Sequence, residues 1–230
     1  MSSSTLPQTH GHAGHEAHDP HHQHHFATME QQFDTSKIGM WLFLVTEILL
    51  FGGLFVGFGM MQARYGKEFI EAHEHLQRPL GALNTIVLLV SSWTMVMAVN
   101  AARNNKKDRC VMFLAITILC AFAFLGVKYF EYSHKYEEGL LPFHWYSHTA
   151  LDRIQGTQGY RAFFSFYFMM TGLHGIHIIG GIGALTWILL RARKSEFSSA
   201  YYTPVDLVGL YWHIVDLIWI YLFPLYYLIS

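Results

Sequence analysis

Long stretches without charge are the feature that most constrains the fold of this chain. Five stretches contain at most one Asp, Glu, Lys or Arg each: 38–63, 79–102, 110–127, 162–190 and 207–230. The apolar core of a bilayer, about 30 Å thick, needs roughly 20 helical residues. The third stretch reaches that length by continuing through Lys128 and Glu131. The pattern therefore predicts an all-α fold, a polytopic membrane helix bundle with five transmembrane helices.

The expected spans divide the 230-residue chain into a tail and one membrane domain. The spans are placed at about 38–63, 79–101, 110–132, 162–190 and 206–229, all within a domain of residues 34–230. Residues 1–33 hold eight of the sixteen histidines before residue 26 and no apolar segment that would indicate a cleavable secretory signal. This tail could bind metal ions loosely, but its composition is more typical of a disordered, solvated cytoplasmic segment.

Composition and charge exclude two other classes of protein. Charged residues make up 13% of the chain and hydrophobic residues 52%, which is unlike a soluble domain. The net charge of −1 provides no basic surface for nucleic acid.

Cations are densest in the short segments on the side of the N-terminus, including Arg103, Lys106, Lys107 and Arg109. The positive-inside rule then predicts a cytoplasmic N-terminus and a C-terminus on the outside.

A few ionisable side chains remain inside the predicted spans, where each costs a few kcal/mol (about 3) unless it finds a partner. They are Glu47, Lys128, Glu131, His174, His177, His213 and Asp216. Lys128 and Glu131 are spaced to form an ion pair on one helix face. For the others, three interpretations are possible: a metal or haem site, a proton path through Glu47, or hydrogen bonds that fix helix packing. Spacing alone favours the third.

One string of residues on each predicted span resembles subunit III of the haem-copper terminal oxidases, most closely that of cytochrome c oxidase. The strings are GMWLFLVTEILLFGGLF (39–55), PLGALNTIVLLVSSWTM (79–95), KYFEY (128–132), FYFMMTGLHGIHIIGGI (166–182) and YWHIVDLIWIYLF (211–223). Members of this family usually have seven helices, and here the first two look absent, as in five-span bacterial members. The lipid-binding cleft between those two helices and the rest would then lack a wall or share one with a neighbour.

The resemblance implies a non-catalytic subunit of a proton-pumping cytochrome c oxidase in the bacterial inner (plasma) membrane. In that family subunits I and II hold haem and copper and pass electrons from cytochrome c to oxygen. Subunit III docks on subunit I, supports proton uptake, contacts membrane lipids and is expected to bind no cofactor or metal of its own.

The resemblance also carries over residue roles, none of them catalytic or metal-binding. Glu47 matches a buried carboxylate that reacts with carbodiimide and is linked to protons. The interhelix polar signature comprises His174, His177, His213, Asp216 and Glu131. Positions that meet phospholipid headgroups match Arg191, Lys194 and Ser198.

Two alternatives to this function remain. One is subunit III of a quinol oxidase. Two features favour the cytochrome c branch over it, namely Glu47 and the long loop 133–160, which contains Trp145 and Tyr146. The other belongs to a different class: an independent membrane metalloenzyme that uses Glu47, Glu131 and the paired histidines.

Overall fold

Six helices form the part of the chain that the computed structural model describes, namely residue 26 and residues 28–74, 76–137, 157–199 and 201–228. They are α1 (Met29–Arg64), α2 (Gly66–His73), α3 (Arg78–Arg103), α4 (Lys107–Glu137), α5 (Thr157–Arg193) and α6 (Thr203–Tyr227). All except α2 are long and apolar enough to cross a membrane. The predicted all-α, five-span architecture is confirmed, and within the described ranges there is no strand.

The first helix begins earlier than the sequence predicts. It starts at Met29 because the Thr28 side chain caps it, accepting a hydrogen bond of 3.1 Å from the backbone N–H of Gln31. Glu30 adds a negative charge to the first turn, where the helix dipole favours it. Residues 29–33 of the expected tail are therefore helical, while its residues 1–25 and 27 lie outside the described ranges. At the other end, α6 stops at Tyr227, two residues before the expected 229.

The short helix α2 was not predicted, because its charged residues hide it from a search for apolar spans. It buries Phe69, Ala72 and His73 on one face, the spacing of an amphipathic helix. At the edge of this face, Glu68 accepts a hydrogen bond of 2.5 Å from the backbone N–H of Gly159 in the first turn of α5. Helix α2 is thus fixed to the start of α5.

Hydroxyl groups join α3 to the helices beside it. The hydroxyls of Thr94 and Thr117 lie 2.8 Å apart between α3 and α4, which fixes their antiparallel register. The indole N–H of Trp212 in α6 donates to the Ser91 hydroxyl of α3 at 2.7 Å. Such contacts suit helices in lipid, where apolar surface alone gives little drive for association.

Glycine permits the closest approach of α5 to α6. A Cβ atom at Gly181 would lie 2.6 Å from the Trp212 ring. On α1 the GxxxG spacing is only partly used, since a Cβ at Gly57 would meet Phe166 at 3.3 Å while one at Gly53 would meet nothing within 4 Å. A small residue is therefore required at Gly181, where α5 packs on α6.

Candidate functional site

A carboxyl–imidazole pair joins the first and fifth helices inside the membrane region. Glu47 of α1 and Nε2 of His177 of α5 lie 2.8 Å apart, and their side chains are 13% and 16% exposed. The His177 ring also packs edge-on against Phe51, with ring centroids 5.5 Å apart. Two residues that sequence reasoning singled out separately thus form one site.

The hydrogen bonds of His177 determine how this pair can hold protons. Nδ1 lies 2.8 Å from the backbone carbonyl of Leu173, and because a carbonyl only accepts, Nδ1 carries a proton. The contact between Nε2 and Glu47 then holds a second proton, on the carboxyl or on the ring. In both arrangements the pair is neutral overall, as suits a site in hydrocarbon. The proton can move between two groups only 2.8 Å apart.

A second polar cluster surrounds the expected ion pair of Lys128 and Glu131 on α4. The Lys128 ammonium group lies 2.8 Å from Glu131 Oε2, and both side chains are buried. Tyr167 of α5 and Tyr227 of α6 donate to Oε1 of the same carboxylate at 2.8 and 2.5 Å. Lys128 also lies 4.7 Å from the centre of the Trp219 ring. The ion pair ties α4 to α5 and α6, which its sequence spacing does not show.

His213 and Asp216 lie on the face of α6 that meets α3. His213 Nδ1 is 2.8 Å from the Ser92 hydroxyl of α3. Both residues line a cleft of about 170 Å³ together with Ser92 and the apolar side chains Leu88, Leu89, Leu217 and Ile220. Asp216 is only 3% exposed, and the Ser92 hydroxyl is close enough to act on its carboxylate, although no hydrogen bond shorter than 3.5 Å reaches either oxygen from the described residues.

His174 differs from the other two membrane histidines. It is fully buried between Phe124 and Trp219, with ring centroids 5.5 and 5.4 Å away. Among the described residues neither ring nitrogen has a hydrogen-bonding partner. His177 and His213 thus make hydrogen bonds to other helices, whereas His174 fills an aromatic pocket and Asp216 lines a cleft, and the role of the four residues in tying helices together stays a prediction. Asn84, which sequence reasoning missed, is also fully buried without a partner in the described ranges.

Sequence reasoning also missed a charge cluster on the side of the bundle where α3 ends and α6 begins. Arg103 at the end of α3 donates to Asp206 in the first turn of α6 at 2.8 Å, and Lys37 of α1 lies 3.8 Å from the same carboxylate. The available signal was Asp206 itself, an acid placed in a first helical turn after Pro204.

The three residues assigned to lipid headgroups lie in the last turn of α5 and in the segment that follows it. Arg191 pairs with Glu196 at 2.6 Å and stacks on the Trp187 ring. Lys194 is exposed, and the Ser198 hydroxyl accepts a hydrogen bond from the backbone N–H of Tyr201. Part of the cationic charge is therefore already paired within the chain.

No three His, Cys, Asp or Glu side chains of the described residues come together as a metal-binding group. Glu47 meets one histidine, and Glu131 meets a lysine and tyrosines. The absence of a cofactor in this subunit stays a prediction.

Comparison with known proteins gives the family. Residues 17–230 match the family described as cytochrome c oxidase subunit III. Quinol oxidase subunit 3 of Bacillus subtilis is 31% identical over 207 residues, 89% of this chain and 93% of that protein. The quinol oxidase subunit 3 of Bacillus spizizenii is 30% identical with the same coverage. A probable quinol oxidase subunit 3 of Staphylococcus haemolyticus is 27% identical over 197 residues, 85% of this chain and 89% of that protein.

The fold and its buried polar pairs define a multi-pass membrane protein whose helices are joined by hydrogen bonds and ion pairs. The chain belongs to the cytochrome c oxidase subunit III family, the third subunits of the haem-copper oxidases. Membership implies that it works together with other subunits of a terminal oxidase.

Proposed function

We propose that this chain is subunit III of a quinol oxidase, a haem-copper oxidase that takes electrons from a membrane quinol. The observation that carries the proposal is that the similar proteins named above are quinol oxidase subunits 3 and align over 85–89% of this chain. The features that favoured cytochrome c are weaker evidence. Glu47 is engaged by His177 within the chain, and residues 138–156 of the loop lie outside the described ranges.

Within the complex, the chain has an accessory role: it supports subunit I beside subunit II and takes no part in electron transfer. The contacts described above serve this role, because they hold five helices in one arrangement against which a larger subunit can pack. The Arg191 and Lys194 region contributes a cationic edge for anionic phospholipid headgroups. This edge lies on the cytoplasmic side if the N-terminus does, as the positive-inside rule predicts.

The Glu47–His177 pair is the proposed proton-related site. The shared proton can pass between Glu47 and His177 without changing the net charge of the pair, which stays zero in the apolar layer. A Glu47→Gln variant keeps a donor for Nε2 of His177 but removes the exchangeable proton. We therefore expect normal assembly, an unchanged haem spectrum and most of the oxygen uptake. Complete loss of oxygen reduction would contradict the accessory role.

The alternative of an independent metalloenzyme gains no support from the geometry of the described residues. Its candidate ligands lie in separate clusters: Glu47 with His177, Glu131 with Lys128, and His213 with Ser92. A direct check is to measure iron and copper on the chain released from the complex, where stoichiometric metal would reverse this conclusion.

The electron donor is tested by oxygen uptake of the complex purified through a tag on this chain. We expect uptake with a reduced quinol and none above background with reduced cytochrome c. A complex that oxidises cytochrome c but not quinol would restore the cytochrome c alternative. Membranes from cells without the complex provide the background for both donors.

A further inference from the structure

A pocket of about 240 Å³ lies at the end of the bundle where α1 and α6 begin and α5 ends. Three aromatic side chains line it, those of Phe33, Trp187 and Tyr201. Leu207 and Val208 of α6 add apolar wall. Because an apolar cavity of about 150 Å³ is enough to hold benzene, this pocket has room for a larger ring. Its size and its aromatic walls therefore suit a flat ring system.

The charges around the pocket favour a neutral ligand over an anionic one. None of the described residues that line it is charged. Charged side chains beside it already have partners within the chain: Arg191 pairs with Glu196 at 2.6 Å, and Lys37 lies 3.8 Å from Asp206. A phosphate group inside the pocket would therefore lack the cationic partner that it prefers, whereas a neutral ring needs none.

Two hydrogen-bonding groups of the lining have no partner among the described residues, namely the indole N–H of Trp187 and the hydroxyl of Thr203. Helix α5 is antiparallel to α6, and Gly181 meets Trp212 where the two helices pack. Six residues from that contact towards the pocket, Trp187 is level with residue 206, about 4.5 Å deeper than Thr203. A quinol carries its two oxygens on opposite sides of the ring, so it can bond to both groups at once.

We propose that this pocket binds the ring of a membrane quinol and leaves the isoprenoid tail in the acyl layer. The ring packs among Phe33, Trp187 and Tyr201, the Trp187 N–H donates to one oxygen, and the Thr203 hydroxyl bonds to the other. Binding of this ligand rests on the proposed function, because quinol is the electron donor of such an oxidase. No electron leaves the quinol in this pocket, which holds the substrate at the complex while other subunits oxidise it.

Photoaffinity labelling of the complete oxidase tests the pocket. The complex is purified through a tag on another subunit, illuminated with a short-tailed azidobenzoquinone and digested for mass spectrometry. We expect label on peptides that contain Trp187 or residues 201–208, and we expect an excess of unlabelled short-tailed quinone to remove most of it. No label on these peptides, or label that phosphatidylglycerol removes as well as quinone does, would overturn the proposal.

Variants of the two unpaired groups test how the ring is held. Trp187→Phe keeps an aromatic ring but removes the N–H, and Thr203→Val removes the hydroxyl at nearly constant volume. In each, the concentration of unlabelled quinone that halves the labelling should rise about fivefold, the effect of one lost hydrogen bond. Trp93→Phe is the matched control and should leave this concentration unchanged, because Trp93 is similarly exposed (57% against 51%) but does not line the pocket. Equal concentrations in all three variants would contradict the proposal.

Oxygen uptake by the same preparation separates the fate of the pocket from that of the proposed function. A complex that oxidises quinol but carries no displaceable label on this chain would overturn the quinol pocket and leave the function in place. A complex that does not oxidise quinol would refute the function and the quinol pocket together.

Discussion

Removing Lys128 should destabilise the chain strongly, because it leaves a buried carboxylate without its cation. Lys128 and Glu131 are 7% and 2% exposed, and their charged groups are 2.8 Å apart. In Lys128→Met, Glu131 keeps the hydroxyls of Tyr167 and Tyr227 on Oε1 but loses the donor to Oε2. Breaking a buried ion pair from one side costs about 3–5 kcal/mol. For a chain of this size that corresponds to about 6–20 °C in the unfolding temperature.

The purified complex is heated, and the assay measures the temperature at which half of this chain has been lost from the complex that stays in solution. Lys107→Met is the control, because it makes the same chemical change at an exposed position on the same helix and should leave that temperature unchanged. The double variant Lys128→Met with Glu131→Gln leaves no isolated charge, so its loss should be smaller than the sum of the two single losses. A Lys128→Met protein as stable as the control, or strictly additive losses, would refute this reasoning.

Two further predictions concern packing and lipid. Gly181→Ala places a methyl group 2.6 Å from the buried Trp212 ring, and this overpacking should destabilise the chain by about 1–3 kcal/mol. Gly172→Ala is the control, because a Cβ there meets nothing within 4 Å and should not destabilise the chain measurably. If the two variant chains were lost from the complex equally on heating, the close approach of α5 and α6 would be contradicted. Replacing both Arg191 and Lys194 by Ala should reduce the anionic phospholipid that co-purifies with the complex, as measured by mass spectrometry. Unchanged lipid content would remove that assignment.

Local spacing was sufficient for features that lie on a single helix. The five spans follow from uncharged length, and the Lys128–Glu131 ion pair follows from a separation of one helical turn. The partners of that ion pair on other helices could not be predicted from sequence spacing. Tyr167 and Tyr227 look like ordinary interfacial or core aromatics until α5 and α6 are packed beside α4.

The Glu47–His177 contact shows the same limit. Both residues stood out because ionisable groups are rare in membrane spans. Their pairing depends on the relative rotation and depth of α1 and α5, since the two residues are 130 positions apart in the sequence. The short helix α2 was missed for a different reason, since its buried face is only three residues wide and its other faces are charged.

The choice between electron donors depended on features that do not report on the donor. By resemblance, electrons enter the complex through other subunits, so neither Glu47 nor the loop has a reason to differ between donors. Glu47 serves an internal contact. Similarity over nearly the whole chain to quinol oxidase subunits 3 of two Bacillus species was needed to favour the quinol branch.

Native mass spectrometry of the oxidase purified through a tag on this chain tests the central claim most directly. An accessory subunit of a terminal oxidase should appear in one complex with haem-bearing partners. When collision energy releases this chain, it should leave with the mass of the bare polypeptide, and all haem and copper should stay with the remaining subunits. Haem, iron or copper leaving with the chain, or a tagged chain that brings no haem protein with it, would contradict the account.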